Sequence, residues 1–231
     1  MKSFRLAAIF LLSIAAVSAQ EVRKIAFRTL TLEPLPGLNE LQLPPATPKG
    51  KSVTATLYVA ALSPVVEGEF KGDEAVFVVK AGDATKPVAK GKLAKSKRQV
   101  LLFQPVKNEQ GESSYEIHAF DDDLDVFKLG SIRVINLSPK EVRFTMGGKE
   151  LPPLPAGDNV IYPRVKAVDE YEMYQVNLEA KVEGTEWTKV YAASWKASDQ
   201  RREIALVTYD DRFKQLAVKL MSDDPPWVKA K

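Results

Sequence analysis

The feature that most constrains this chain is a two-residue alternation of apolar and polar side chains, repeated in short runs and cut by glycine and aspartate. Val53, Ala55, Leu57 and Val59 share one face of such a run. Tyr174, Val176, Leu178, Ala180 and Val182 share another, with Gln175, Asn177, Glu179 and Lys181 opposite. Leu216, Val218 and Leu220 alternate with Gln215, Ala217 and Lys219. Successive side chains of a strand point to opposite faces, so this period is the mark of half-buried strands. The same reading predicts strands over 23–32, 75–80, 98–104, 114–120, 131–137, 142–146, 159–162, 188–195 and 203–208. Gly72-Asp73, Gly82-Asp83, Gly111, Gly147-Gly148, Gly157-Asp158, Gly184 and Asp210-Asp211 separate the runs. No segment after the first twenty residues sustains a helical period. Many short strands at this spacing predict an all-β fold of antiparallel sandwiches.

Pro34 to Pro48 holds five prolines and predicts an extended crossover packed between strands. A weak internal echo accompanies the strand pattern. Arg98-Gln-Val-Leu-Leu-Phe103 leads to Tyr115-Glu-Ile-His-Ala-Phe-Asp-Asp-Asp123, and Arg202-Glu-Ile-Ala-Leu-Val207 leads to Leu216-Ala-Val-Lys-Leu-Met-Ser-Asp-Asp224. Two tandem sandwich domains, 20–128 and 129–231, account for the echo and suit the length of 231 residues. Chance likeness of strand pairs is the rival account.

The first residues read differently. Lys2 and Arg5 precede an apolar run from Leu6 to Val17, and Val17-Ser18-Ala19 offers small residues for a peptidase. This layout predicts an N-terminal signal helix over 1–19, too short to span a bilayer comfortably. The expectation is an exported protein, periplasmic or secreted, with no membrane span after signal removal. Without Lys2 and Arg5 the balance is 31 basic to 30 acidic residues. Near neutrality speaks against a nucleic-acid partner, whose affinity rests on many Lys and Arg contacts to phosphate. There is no cysteine, so disulfides, thiol nucleophiles and thiolate metal sites are excluded.

One stretch carries a resemblance. Gly130-Ser-Ile-Arg-Val-Ile-Asn-Leu-Ser-Pro139, with Val142-Arg-Phe-Thr-Met146, Gly147-Gly148 and Pro155-Ala-Gly157, resembles exported bacterial proteins to which no activity is assigned. In those proteins an R-V-x-N-L-S-P strand opens an immunoglobulin-like sandwich. The likeness covers roughly residues 120–165. It implies an immunoglobulin-like β-sandwich and export, and supplies no catalytic residue.

Candidate site residues are few. His118 is the single histidine and sits in a predicted strand with no triad signature around it. Asp121, Asp123 and Asp125 have the spacing that opens a calcium loop, but Val126 stands where glycine is needed and Arg133 where a bidentate glutamate is needed. The run therefore reads as a solvated turn, with no metal and no cofactor expected. Lys90, Lys92, Lys95, Lys97 and Arg98, with Lys86, form a basic stretch that either docks an anionic surface or guards a sheet edge, the second being favoured. Trp187, Tyr191 and Trp195 recur every four residues. Exposed, they would be a ladder for sugar rings. Buried, they are the heavy side of a core, which is the favoured reading.

These observations lead to one expectation and two rivals. The expectation is a non-enzymatic structural or binding module of the cell envelope, an accessory subunit of an envelope or secretion assembly with another envelope protein as partner. The first rival is a carbohydrate-binding module that takes polysaccharide on the Trp187/Tyr191/Trp195 face. The second is a hydrolase with its site on sandwich loops.

Overall fold

A computed structural model describes residues 21–107, 111–181 and 184–228, and every helix or strand among them is a β-strand. The expected signal segment, 1–19, lies outside the described residues. Eight strands build a first body: β1 (Val22–Thr31), β2 (Glu40–Leu43), β3 (Val53–Thr56), β4 (Val66–Lys71), β5 (Glu74–Ala81), β6 (Ala84–Lys92), β7 (Arg98–Lys107) and β8 (Ser113–Asp121). They form one sheet in the order β3-β2-β5-β6-β8-β7-β1-β4. The first body is therefore not the pair of separate sheets that the sequence predicts.

The sheet folds on itself because two of its seams are short. β2 meets β5 at the single pair Gln42↔Val78, and β6 meets β8 only at Ala89↔Tyr115 and Lys90↔Glu116. Few ladder bonds hold these joints flat, so the sheet bends there and its end strands β3 and β4 come close, nearly closing a barrel. Gly91 makes the β6/β8 joint sterically feasible: a Cβ there would lie 2.0 Å from the Ile117 carbonyl oxygen. The enclosed space is filled by Phe27, Phe70, Phe77, Phe103 and Tyr115, packed edge to face with centroids 5.4 to 6.3 Å apart.

The second body holds β9 (Ile132–Asn136), β10 (Val142–Met146), β11 (Lys149–Glu150), β12 (Asn159–Tyr162), β13 (Met173–Ala180), β14 (Thr188–Lys196), β15 (Arg202–Asp210) and β16 (Gln215–Asp223). Two four-stranded sheets, β11-β10-β13-β14 and β12-β9-β15-β16, share one core that includes Val134, Phe144, Val176, Leu178, Trp195 and Val207. The motif at 133–139 is a folding device. Buried Asn136 donates through Nδ2 to the carbonyls of Lys140 (2.8 Å), Leu154 (3.1 Å) and Pro155 (3.0 Å). Its Oδ1 accepts from the Ser138 N–H (3.2 Å) and hydroxyl (2.7 Å). One amide thus ties two passing segments together and satisfies groups that could not be left bare inside.

Pairing direction also departs from the predicted antiparallel pattern. β1 with β7, β6 with β8 and β9 with β15 run parallel. Alternation tells which face of a strand is buried and is silent on which way its neighbour runs.

The two bodies are joined by a second apolar layer. Leu30, Val100, Leu102 and Phe120 lie on the outer face of the first sheet, and Phe127 follows β8. They pack with Ile135, Ile204 and Leu206 from β9 and β15. That is why Ile132–Asn136 and residues 202–207 are buried on both faces.

Candidate functional site

Beside this layer the structure buries a cluster of charges. Arg28 of β1 grips Asp122 through Nε (2.9 Å) and Nη2 (2.8 Å), and Asp223 of β16 through Nη1 (2.7 Å) and Nη2 (3.1 Å). Arg202 of β15 closes the square. Its Nε donates to Asp223 Oδ2 (2.8 Å), and its Nη2 to Asp122 Oδ1 (2.6 Å) and again to Asp223 Oδ2. Its Nη1 donates to the carbonyls of Asp122 (3.1 Å) and Phe127 (3.0 Å). All five guanidinium N–H groups of Arg202 are used. Trp227 Nε1 donates to Asp122 Oδ2 at 3.0 Å, and Arg98 stacks over the Trp227 ring at 4.8 Å. The Pro225-Pro226-Trp227 segment so straps the cluster from outside.

Burial alone would lower the Arg28 pKa, but the hydrogen bonds it donates to Asp223 and Asp122, with the charges of those carboxylates, outweigh it and hold the guanidinium above its ordinary value. Arg133 lies next to the square with its plane near Phe127 (4.9 Å) and Phe120 (5.3 Å), and Nη2 on the Asp121 carbonyl (2.8 Å). Burial pushes it down to about 10, against the pull of Asp122, and its Nε has no partner. At neutral pH it remains a cation, so the interface holds three arginines against Asp122 and Asp223. Glu203, on the rim, is raised by burial despite two contacts of 3.1 Å from the Ser222 hydroxyl.

The aspartate run is thus not the solvated turn that its spacing predicts. Asp122 is fully buried, Asp121 accepts the Ser96 N–H at 2.9 Å, and Asp123 pairs with Arg98 at 3.5 Å. Asp125 is exposed. Among the described residues no group of three or more acidic or histidine side chains is placed to hold a metal ion. Arg28, Arg202 and Asp223 were not legible as a site. They lie far apart in the chain, and their one local signal is a charge inside a strand buried on both faces.

Two clefts open on the structure. The larger, about 1470 Å³, opens beside β8 and is lined by Glu74, Lys90, Lys92, Glu116 and His118 among others. His118 Nε2 lies 2.9 Å from the Gln104 side-chain amide, so its hydrogen-bond partner is an amide and not a carboxylate. Lys90, Lys92, Lys95 and Lys97 are exposed and make no ion pair among the described residues. Arg98 departs from that patch, since Asp123 and Trp227 engage it. The smaller cleft, about 540 Å³, separates residues 60–65 from residues 219–224 and has Arg28 in its wall.

The three aromatic residues that the rival reading makes a ladder are not coplanar on a surface. Trp195 is 4 % exposed, packed on Tyr174 (6.4 Å) and Phe144 (6.2 Å), with Nε1 donating to the Tyr191 hydroxyl at 3.2 Å. Tyr191 is half-buried against the same core. Trp187 precedes β14 and lies under the Arg143 guanidinium (4.7 Å) and the Lys181 ammonium (4.8 Å). A bulge sets Leu178 opposite Tyr191 but Glu179 opposite Lys189, so Trp187 does not keep the face that Tyr191 and Trp195 share.

What the fold and site define is a class: a two-body all-β protein with its buried charges at the joint. Comparison adds no family to that class, since no protein-family profile matches the chain. No curated protein matches it either. Among solved structures, human GIVD cytosolic phospholipase A2 aligns at 12 % identity with a TM-score of 0.27 over 89 % of this chain. The chain spans 32 % of the length of that protein. So slight a likeness carries no argument about fold or activity.

Proposed function

We propose that the chain is an exported, non-enzymatic structural or binding module of the cell envelope, an accessory subunit held to another envelope protein, with an immunoglobulin-like sandwich as its second body. The supporting observation is how its buried charges are used. Groups that would be poised for reaction in an enzyme are spent on one another: every Arg202 donor is occupied, and Asp122 and Asp223 each accept from both arginines. Such an arrangement fixes two bodies in one orientation and leaves no free acid or base at its centre. A rigid pair of β bodies with open clefts suits presentation of a surface to a partner. The aromatic face does not favour the polysaccharide reading, because Trp195 is core.

The test is made in the source cell with the full chain. The native protein should begin at Gln20 or within a residue or two of it, leave the cytoplasm, and migrate in mild detergent well above the 25.6 kDa of the chain. Intact Met1 on a cytosolic monomer refutes the reading.

A further inference from the structure

The outer edge of β16 lies against the smaller cleft. Parallel pairing fixes where its backbone groups point. The Glu203 N–H donates to the Ser131 carbonyl at 3.1 Å, and the Val207 carbonyl accepts the Leu137 N–H at 2.8 Å. In a parallel pair the N–H and C=O of one residue point to the same side. Odd-numbered residues of β15 therefore serve β9, and Ile204, Leu206 and Thr208 serve β16. Their register partners are Met221, Lys219 and Ala217. Leu216, Val218, Leu220 and Ser222 are left with N–H and C=O directed away from the sheet. Among the described residues these four make no further backbone hydrogen bond.

This edge is long, and β14 of the facing sheet approaches it without pairing to it. β16 pairs with β15 over nine residues without a bulge, contains no proline, and ends its sheet. Edge strands are normally blunted by bulges, prolines, charges or shortness. β11 and β12 are short, and β14, the other long edge of this body, carries a bulge and Lys189 and Lys196. On β16 only Lys219 interrupts the exposed side.

The cleft lies along this edge. It is lined by six consecutive residues, Lys219 to Asp224, the C-terminal half of β16 and the residue that follows it. Its volume of about 540 Å³ falls within the ~300–1,000 Å³ of natural ligand clefts. The opposite wall is residues 60–65 of the first body, where Val65 is 36 % exposed, with Val59 beside it at 50 %.

We infer that this cleft takes an extended segment of a partner polypeptide, added as a strand to the free edge of β16. The inference rests on the binding-module reading and deepens it by naming the surface and the kind of ligand. Leu216, Val218 and Leu220 belong to the inner face of their sheet, packed with the second core. The segment therefore carries apolar residues on alternate positions to continue that face. Lys219 makes no ion pair among the described residues. A carboxylate opposite it completes the outer face. A second copy of the chain fits less well, because antiparallel pairing of two β16 edges about their centres sets Lys219 against Lys219, and like charges directly opposite are destabilising.

The experiment uses the purified full chain and the synthetic peptide acetyl-Thr-Val-Glu-Val-Thr-Val-Ser-amide, followed by amide hydrogen exchange. In the free protein the amides of Ala217, Lys219 and Met221 should exchange slowly, and those of Val218, Leu220 and Ser222 quickly. Saturating peptide should slow Val218 and Leu220 about tenfold or more. Replacing the peptide's glutamate with lysine should weaken binding about fivefold. Val65→Asp, a change on an exposed side chain that leaves the fold intact, should weaken it about tenfold, with an unaltered melt. Absence of saturable binding at millimolar peptide overturns the inference. So does binding that leaves Val218 and Leu220 fast. Slowing of those amides by raised protein concentration alone, with a dimer in sedimentation, overturns the assignment to a foreign partner. The titration is done on purified protein, so its failure is distinct from a failure of the export and envelope-complex tests.

Discussion

Asp223→Ala is the sharpest test of the charge square. Asp223 accepts two guanidinium hydrogen bonds from Arg28 and two from Arg202. Its removal leaves Arg28, Arg202 and Arg133 buried with Asp122 as the one remaining carboxylate of the square. Breaking a buried ion pair from one side costs about 3–5 kcal/mol, a large part of the ~5–15 kcal/mol that holds a typical domain. Arg202→Met should cost as much, because it also strips donors from the Asp122 and Phe127 carbonyls, at about 1–3 kcal/mol for each buried acceptor left bare. The double variant should fall well short of the sum, with a coupling of up to about 3 kcal/mol. Urea melts of the four proteins, read by tryptophan fluorescence and by circular dichroism, measure it. The two probes should separate in Asp223→Ala, as the first and second bodies lose their joint and unfold apart. A cost under about 1 kcal/mol for Asp223→Ala, with coincident transitions, would falsify the account, since that is what a solvated surface aspartate gives.

Three further outcomes follow from other parts of the fold. Glu203 has a raised pKa in the folded protein, so the native state binds a proton more readily than the unfolded chain. Its contribution to stability is therefore present below the ordinary carboxylate pKa and lost as pH rises through the folded value. Glu203→Gln should melt higher than the parent at pH 7, with the gap shrinking toward pH 4; a gap that widens on acidification rejects the assignment. Gly91→Ala should prise the β6/β8 joint and cost about 1–3 kcal/mol, seen as a lower urea midpoint; a neutral effect means that the joint is looser than a 2.0 Å approach implies. Trp195→Ala should cost about 3–5 kcal/mol and leave polysaccharide retention, tested by pull-down, as absent as in the parent; a stable variant that loses real glycan affinity restores the ladder.

Much of the strand pattern was legible because burial on one face writes itself into the sequence. The runs at 142–146 and 159–162 coincide with β10 and β12, and most others differ by a residue or two. β6 escaped because Ala84–Lys92 holds three lysines with Pro87 and Gly91 and has no apolar alternation, its neighbours rather than its composition making it a strand. β2 escaped inside the proline-rich crossover. Strand direction and the folding of the first sheet at its seams depend on pairing between distant segments, which no local period records. The charge square is the extreme case. Arg28, Asp122, Arg202 and Asp223 each look like an ordinary polar residue where they stand, and only the topology makes them neighbours. The spacing of the aspartate run points to Asp121, Asp123 and Asp125, whereas the residue that joins the square is Asp122, between the first two.

The square also sets an order in time. Arg28 belongs to the first strand and Asp223 to the last, 195 residues later. During synthesis and any passage through a membrane channel, Arg28 has to wait, hydrated, until β16 and the Trp227 strap have arrived. Contacts of such long sequence separation form late and slow the final step of folding. The square is therefore complete only when the last strand is in place. A copy cut short before Asp223 lacks that closure, and its Arg28 has Asp122 as its one remaining carboxylate of the square.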